Sequence, residues 1–365
     1  MATPLKYMYN PTYFETLCPV LKHCIPNFDC RDFIFRIFDN QWPDLELKQR
    51  VRHISRVLRH FLPEDFRLAA KHIVSVAEEL EKRTTTQGFE HIFLPDYIEV
   101  FGLGHPQESF EALEQITKLV SAEFAVRPFI LQDPIWAMQF FRRWSLNENA
   151  NVRRLASEGC RPRLPWAVAL PMFKKDPLPL LPILDNLKDD ASLYVRKSVA
   201  NNLNDISKDH PDLVLEVARK WKDTHPHTNW IIRHGCRSLL KQGNRRVLTL
   251  HGYRPDLRAS VTKFTVPAKV PIGGDLTFNF HFENRENRAA DFRLDYAIDY
   301  LTSTGKKSRK VFKISENSFE PRRKMKIERK QSFKDLTTRK HFAGKHHITI
   351  LANGKKLAVA EFLVC

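Results

Sequence analysis

Three segments of this sequence align with one another: NVRRLASEGCR (151–161), YVRKSVANNLN (194–204) and IIRHGCRSLLK (231–241). Their shared arginines, Arg153, Arg196 and Arg233, are separated by 43 and then 37 residues. That spacing is typical of HEAT-like repeats, in which each helical hairpin stacks on its neighbours because it cannot bury its apolar face alone. The repeats therefore predict an α-solenoid with a concave binding surface. The alternative for Arg196 and Arg233 is a structural role, in which a repeat arginine ties one repeat to the next through an aspartate.

Segments before these repeats also have helical periodicity. In LKQRVRHISRVLRHFL (47–62) the apolar residues fall on one face of a helix: Val51, Ile54, Leu58, Phe61 and Leu62. Such a stripe is the pattern of an amphipathic helix packed on a core. We therefore assign residues 1–257 to a domain of HEAT-like repeats.

The period changes to two after this region. LTFNFHFEN (276–284) places Leu276 and three phenylalanines on one side of a strand, and FRLDYAIDY (292–300) alternates in a similar way. HHITILANGKKLAVAEFLV (346–364) predicts a hairpin that turns at Asn353-Gly354. Roughly seven short strands fit here, which is the size of an immunoglobulin-like sandwich. We therefore predict an all-β immunoglobulin-like sandwich over residues 258–365.

The charge of the chain is uneven. Lys and Arg total 59 against 42 Asp and Glu, a formal net charge of +17. Residues 259–365 hold 22 basic and 11 acidic residues, a net charge of +11. This balance predicts an anionic partner, either nucleic acid or a membrane surface. A membrane role is the weaker of the two, because no amphipathic basic helix with an aromatic face is present.

The composition indicates the class of protein and its cellular compartment. No apolar stretch reaches the about 18–20 residues of a membrane span, and MATPLKYMYNPTYFETL (1–17) lacks the apolar run of a secretory signal. Six scattered cysteines are typical of a reduced protein rather than a disulfide scaffold. We expect a cytoplasmic protein.

The densest cluster of charge is VRRLASEGCRPRLPW (152–166). It holds four arginines within eleven residues, the single carboxylate Glu158, and Trp166 directly after Pro165. Arginine binds phosphates through two parallel hydrogen bonds, and a tryptophan beside a proline offers a rigid flat surface for a sugar or base. The alternative is a solvated helix end with Trp166 packed into the next repeat.

Two further carboxylates are candidates. Glu123 in SAEFAVRPFI (121–130) lies among apolar residues, so we expect it to be partly desolvated, with Arg127 as a candidate counter-ion. Asp205 follows Arg196 by nine residues. Each has a plain alternative: Glu123 as an ordinary helix glutamate and Asp205 as the cap of a repeat.

The sequence has no motif typical of a metal site or of a nucleotide-cofactor site. Cys18, Cys24 and Cys30 are spaced by six residues, which is no zinc pattern, and the His225-Pro-His227 pair has no partners at ligand spacing. No phosphate-binding glycine loop and no hydrolase signature is present. We expect neither a metal nor a cofactor.

These residues suggest a family. VRRLASEGCRPRLPW after a helical repeat, preceded by EFAVRPF (123–129), resembles the AlkC branch of the AlkC/AlkD DNA alkylation-repair glycosylases. The resemblance covers nearly the whole chain, and it implies a protein that is associated with the bacterial nucleoid when it is on DNA. It implies base excision repair by a monofunctional N-glycosylase that removes 3-methyladenine, 3-methylcytosine and 1-methyladenine from double-stranded DNA. It also implies that the lesion is not flipped into a pocket, in contrast to most enzymes that act on bases.

The resemblance assigns roles residue by residue. It implies that Glu123 is the main catalytic carboxylate and that Glu158 and Asp205 line the same cleft. Trp166 and Phe124 would contact the lesion nucleotide, with Trp166 part of the catalytic group. Arg154 and Arg161 would hold the DNA backbone, and the other DNA contacts expected in the helical part are Arg153, Arg163, Lys197 and Arg233. Ser238 stands where the AlkD branch has a tryptophan, so the two-tryptophan sugar cradle of that branch does not transfer.

The basic runs KKSRKVFK (306–313) and PRRKMKIERK (321–330) are candidates for gripping DNA phosphates and reaching the minor groove. The residues expected to make these contacts are Lys306, Lys307, Arg309, Arg322 and Arg323. The alternative is a pair of solvated strands or loops that keep the domain soluble.

The sequence leaves two competing functions open. One is a non-catalytic HEAT-repeat protein that binds nucleic acid or damage, and the other is a HEAT scaffold whose basic β domain binds an acidic protein. Convergence of Glu123, Glu158 and Asp205 would favour the enzyme over both. We expect a monomer.

Overall fold

A computed structural model describes residues 4–83, 88–336 and 339–365. In this part of the chain sixteen α-helices precede eight strands. The helices are α1 (Pro11–Cys24), α2 (Cys30–Ile37), α3 (Leu47–Leu58), α4 (Phe66–Arg83), α5 (Phe93–Phe101), α6 (Pro106–Ile116), α7 (Arg127–Gln132), α8 (Pro134–Trp144), α9 (Ala150–Glu158), α10 (Pro171–Lys175), α11 (Leu181–Asn186), α12 (Leu193–Ile206), α13 (Pro211–Trp221), α14 (Pro226–Gly235), α15 (Arg237–Lys241) and α16 (Arg245–Leu250). Short 3₁₀ turns occupy Leu5–Met8, Trp42–Asp44, Arg59–Phe61, Phe89–His91 and Leu178–Leu180.

The first two repeat segments form helices that pack on each other. α9 buries Val152 and Leu155, and α12 buries Val195 and Val199. The side chain of Asn149 accepts a backbone hydrogen bond at the start of α9, as an N-cap residue does. Other helices pack in the same way, among them α1 with α4, α3 with α5 and α4 with α6. The predicted helical repeats are therefore confirmed.

Two helix boundaries differ from the periodic pattern. The third segment, 231–241, is not one helix, because α14 ends at Gly235 and α15 starts at Arg237. Glycine is the weakest helix former after proline, which explains a break at this point. The amphipathic segment 47–62 is α-helical only to Leu58 and then tightens into a 3₁₀ turn.

The strands form two sheets. They are β1 (Ala259–Thr265), β2 (Lys269–Val270), β3 (Asp275–Asn284), β4 (Ala290–Leu301), β5 (Lys307–Phe319), β6 (Lys324–Ser332), β7 (Gly344–Ala352) and β8 (Lys355–Val364). One sheet has the order β1-β3-β6 and the other β2-β8-β7-β4-β5. The predicted inward set on β3, Leu276 with Phe278, Phe280 and Phe282, is fully buried and joins side chains of the second sheet in one core. The predicted β sandwich is confirmed.

The chain divides into two compact units. One runs to Asp209 and includes Trp221–His234, and the other comprises His210–Lys220 and Gly235–Cys365. The second unit therefore contains α15 and α16 in addition to the β strands. A Cβ added to Gly354 would lie 2.9 Å from the Cα of Gly243, so only glycine fits where the β7–β8 turn meets the loop after α15. Both glycines have positive φ, 76° and 72°.

Among the described residues, none of the helices combines the length and apolar character that a membrane span requires.

Candidate active site

Glu123 lies in the turn between α6 and α7, not on a helix. Its side chain is 15% exposed. Ser121, two residues earlier, donates its hydroxyl to Glu123 Oε2 at 2.8 Å. The apolar neighbours in the sequence explain this position, since Ala122, Ala125 and Val126 are buried and hold the turn against the helices. Glu123 is thus a partly buried carboxylate on a fixed turn.

Arg154 on α9 joins two of the predicted carboxylates. Its Nη1 contacts Glu123 Oε2 and donates to Ser121 Oγ at 2.6 Å. Its Nη2 lies 3.6 Å from Glu158 Oε1, one helical turn further along α9. The guanidinium also stacks 4.6 Å from the ring of Tyr194. Arg154 therefore holds Glu123 and Glu158 beside one another.

Arg161 also contacts two carboxylates, Glu158 and the third predicted one, Asp205. Its Nη1 donates to Glu158 Oε1 at 2.6 Å, and its Nε donates to Asp205 Oδ2 at 2.9 Å. Ser198 on α12 donates to the other oxygen of Glu158 at 2.6 Å, and Lys208 donates to Asp205 Oδ1 at 3.0 Å. The structure thus brings the three predicted carboxylates together in an alternating series. We call it the carboxylate row: Glu123, Arg154, Glu158, Arg161 and Asp205.

The carboxylates of the row stabilise the charged forms of its two arginines. Burial alone would lower the pKa of Arg154, but Glu123 and Glu158 outweigh it and raise that pKa above its usual value. The pKa of Arg161 is raised in the same way, with Glu158 and Asp205 outweighing burial. Both guanidiniums therefore stay charged. Three carboxylates against two guanidiniums leave the row one negative charge in excess before Lys208 is counted.

Arg127 stabilises the loop that leads to the carboxylate row. It is fully buried and donates to the backbone carbonyls of Val168, Gly159 and Arg161 at 2.6, 2.9 and 3.0 Å. Burial lowers its pKa to about 10. Arg127 was the candidate counter-ion of Glu123, but the ion pair to Glu123 is made by Arg154. The role of Arg127 is to fix the loop that carries Arg161.

Trp166 and Phe124 flank a cavity beside the row. Trp166 is 63% exposed and has a positive φ of 64°. Lys48 of α3 donates to the Trp166 carbonyl, and its ammonium lies 5.2 Å from the centre of the Phe124 ring. The space between α3, α5, the turn around Glu123 and residues 166–168 is about 540 Å³, and we call it the α3–α5 cavity. Both predicted aromatic residues line it.

The other arginines of the dense cluster are paired with acids. Arg153 binds Asp190 through Nε and Nη2 at 2.6 and 3.1 Å, which links α9 to the segment before α12. Arg163 binds both oxygens of Asp209 from Nη2 at 2.7 and 2.9 Å. Arg153 thus makes the repeat-to-aspartate tie considered above for Arg196 and Arg233.

Arg196, at the second repeat position, differs from Arg153. Arg196 donates to the carbonyls of Asp190 and Ala191, both at 2.7 Å, and to no carboxylate among the described residues. Lys197 and Arg233, which were predicted to contact DNA, are exposed.

The basic residues predicted to bind DNA in the β unit are exposed on strands and turns. Lys306 precedes β5, while Arg322 and Arg323 precede β6. Lys307 contacts His347 at 3.0 Å, and Arg309 pairs with Asp299 at 3.2 Å. Their DNA contacts stay a prediction, as do the roles assigned to the other site residues.

Sequence reasoning missed four contributors. Lys48 belongs to the amphipathic segment 47–62, in which the apolar residues give the sequence signal. The Trp166 carbonyl that it contacts lies 118 residues later in the chain. Ser121 and Ser198 have no motif of their own. The pairing of Arg52 with two acids on α5 had no sequence signal beyond the i, i+3 spacing of those acids.

Across residues 4–83, 88–336 and 339–365, no grouping of three His, Cys, Asp or Glu side chains could hold a metal ion.

Comparison with known proteins assigns the chain to a family. Residues 260–365 match the family model described as the C-terminal Ig-like domain of the uncharacterised protein YhaZ. The uncharacterized protein YhaZ of Bacillus subtilis (strain 168) is 42% identical over 362 residues, which is 99% of each chain. The alkylpurine DNA glycosylase AlkC of Pseudomonas fluorescens, solved bound to DNA containing an abasic site analog, is 38% identical with a TM-score of 0.92 and full coverage of both chains. On these likenesses, and with the motif around Glu158 in place, the chain belongs to the AlkC branch of the AlkC/AlkD family.

Proposed function

We propose that this protein is a DNA glycosylase that excises cationic N-alkylated bases from double-stranded DNA in base excision repair. The observation that carries the proposal is the carboxylate row, in which two guanidiniums hold three carboxylates next to two aromatic side chains. A scaffold or a plain DNA-binding surface has no need of acids at its centre, because acids repel phosphate. Similarity to AlkC over the full chain supports the same activity.

The proposed substrates are 3-methyladenine, 3-methylcytosine and 1-methyladenine in DNA. Each base carries a positive charge, so the carboxylates of the row attract it. The charge also weakens the N-glycosidic bond, because the base leaves as a neutral molecule. An undamaged base lacks this activation, so the selection can rest on reactivity and does not need a tight pocket. For this reason we propose that bond cleavage occurs without base flipping.

The proposed reaction is a hydrolysis at C1′. The C1′–N bond breaks, its electron pair stays with the base, and the deoxyribose becomes oxocarbenium-like. A water oxygen then bonds to C1′ and gives its proton to Glu123. Within the described residues, the hydrogen bonds to Glu123 all reach Oε2, which leaves Oε1 for that water. Preorganised charges of this kind contribute about 10²–10³ in rate.

The other residues of the row stabilise the developing cation. Glu158 and Asp205 add negative charge to the row that holds Glu123. Arg154 and Arg161 fix the three carboxylates, so that no rearrangement is needed during the reaction. The faces of Phe124 and Trp166 add attraction to a cationic sugar. We propose that the exposed basic residues, Lys306, Arg322 and Arg323 among them, hold the DNA phosphates.

The decisive experiment measures free base. The purified protein is incubated with methylated duplex DNA, and released 3-methyladenine is quantified together with strand cleavage at the abasic product. We expect release of the base with an intact DNA backbone, as for a monofunctional glycosylase. Salt-dependent DNA binding without release would instead favour the non-catalytic damage-binding protein, and absence of both would favour a protein scaffold.

A further inference from the structure

The wall of the α3–α5 cavity carries a second set of charged residues that the proposed reaction does not use. Arg52 on α3 donates from Nε to both oxygens of Asp96, at 3.1 and 3.0 Å, and from Nη2 to Glu99 at 2.7 Å. The side chains of Asp96 and Glu99 on α5 are only 13% and 21% exposed. One guanidinium thus fixes two carboxylates inside the cavity, at a place separate from the carboxylate row.

The cavity and the row share one turn. Ser121 and Phe124 line the cavity, and Ser121 also donates to Glu123 and accepts from Arg154. A group that is released beside Glu123 therefore stands at the cavity wall. The cavity volume of about 540 Å³ lies within the usual range of roughly 300–1,000 Å³ for small-ligand sites.

The lining fits a flat ring with an amino group. Phe89, Phe124 and Trp166 offer aromatic faces, on which any nucleobase can stack. A carboxylate in a fixed position accepts a hydrogen bond from an exocyclic amino group, as Asp and Glu do from cytosine N4. Adenine and cytosine, with or without a ring methyl group, both carry such an amino group.

We propose that the α3–α5 cavity binds the free alkylated base after its release, with Asp96 accepting from the exocyclic amino group and the ring stacked on the aromatic wall. This inference rests on the proposed function, because that activity supplies the ligand. It adds a product site that adjoins the reacting centre and shares Phe124 and Trp166 with it. The detached base is no longer tethered to the backbone, so it can enter the cavity although the lesion is not flipped beforehand.

The test uses free 3-methyladenine and the full-length protein. Binding is measured by equilibrium dialysis without DNA, so that the result does not depend on catalysis. We expect Phe89→Ala to weaken binding at least about 5-fold, the low end of the loss expected for a stacking residue. Phe89 is 37% exposed, so this variant should fold. The matched control is Phe35→Ala, an 80% exposed phenylalanine outside the cavity.

A second pair of variants tests the polar contact. Asp96→Asn is expected to weaken binding about 10-fold, the loss of a hydrogen bond to a charged group. Asp32→Asn is its control, because Asp32 pairs with Arg36 at 2.8 Å on an exposed helix face. The same base added to an excision assay should inhibit wild type and leave the Phe89→Ala protein less inhibited.

The outcomes separate the two proposals. Release of base from DNA without measurable binding of free 3-methyladenine, or equal binding by Phe89→Ala, Asp96→Asn and both controls, would overturn the product site and leave the glycosylase standing. Absence of release from DNA would remove the proposed function, whatever the dialysis shows. Binding that both cavity variants lose and both controls keep would establish the site.

Discussion

The Arg154 guanidinium contacts the carboxylate of Glu123, which lies 31 residues earlier in the chain. The contact fixes Glu123 through Oε2, while Arg127 donates to backbone carbonyls. An acid that is held in this way can act on water without first changing its position.

Replacing Glu123 tests this function directly. Glu123→Gln keeps the shape of the side chain and removes its charge, so we expect excision to fall about 10²–10³-fold. DNA affinity should stay the same or rise slightly, because one repulsion with phosphate is lost. Single-turnover release of 3-methyladenine and a binding titration measure the two effects. Glu15→Gln removes a charge from an exposed position on α1 and serves as the control. Equal loss of binding and excision would show that Glu123 is not catalytic.

Removal of Arg127 should destabilise the protein. In Arg127→Met three backbone carbonyls lose a charged donor, which costs about 3–5 kcal/mol in the free energy of unfolding. Excision should fall as well, because the loop carrying Arg161 is no longer held. Urea unfolding compares this variant with Arg31→Met at an exposed position. If the two variants are equally stable, Arg127 does not support the site.

The sequence predicted the two architectures because each follows from local periodicity. The alternation of Leu276 and Phe278 needs no knowledge of the rest of the chain, and both residues are buried as expected. Glu123 and Asp205 were candidates from their local sequence, but neither has a distinctive neighbourhood, so the catalytic roles predicted for them depend on the family resemblance. The pairing within the row could not be predicted, because it joins Arg161 to Asp205 across 44 residues and depends on how α9 and α12 pack. Lys48 was missed for the same reason.

A steric prediction follows from Gly159, the C-cap of α9. A Cβ there would lie 2.8 Å from Val126 Cγ2 and 3.0 Å from both the Leu155 carbonyl oxygen and Phe141 Cε1. Gly159→Ala should therefore lower the free energy of unfolding by about 1–3 kcal/mol through overpacking. Gly104→Ala is the matched control, since a Cβ at Gly104 would meet nothing within 4 Å. Denaturant midpoints of the two variants measure the difference, and a neutral Gly159→Ala would show that this contact yields easily.

The basic residues of the β unit predict a salt effect. Each phosphate contact contributes about 0.9 to the slope of log affinity against log salt. The double variant Lys306→Ala, Arg323→Ala should reduce that slope by nearly 2 if both side chains bind phosphate. Lys269→Ala tests an exposed lysine of β2, outside both basic runs. DNA binding is measured between about 50 and 200 mM salt. An unchanged slope in the double variant would place these two residues off the DNA.

Glu99 predicts a pH dependence of stability. Burial and then the charge of Asp96 raise the pKa of Glu99 above its ordinary value, although Arg52 opposes them. Because the folded pKa exceeds the unfolded value of about 4.3, the stabilising contribution is complete below about pH 4.3 and is lost as pH rises through the folded pKa. Glu99→Gln stays neutral, so its stability relative to wild type should increase with pH above about 4.3 and then level off. Thermal unfolding of both proteins from about pH 4 to 8 measures this difference, with Glu15→Gln as the control. A constant difference across that range would contradict the raised pKa and would mean that Arg52 fully compensates the buried charge.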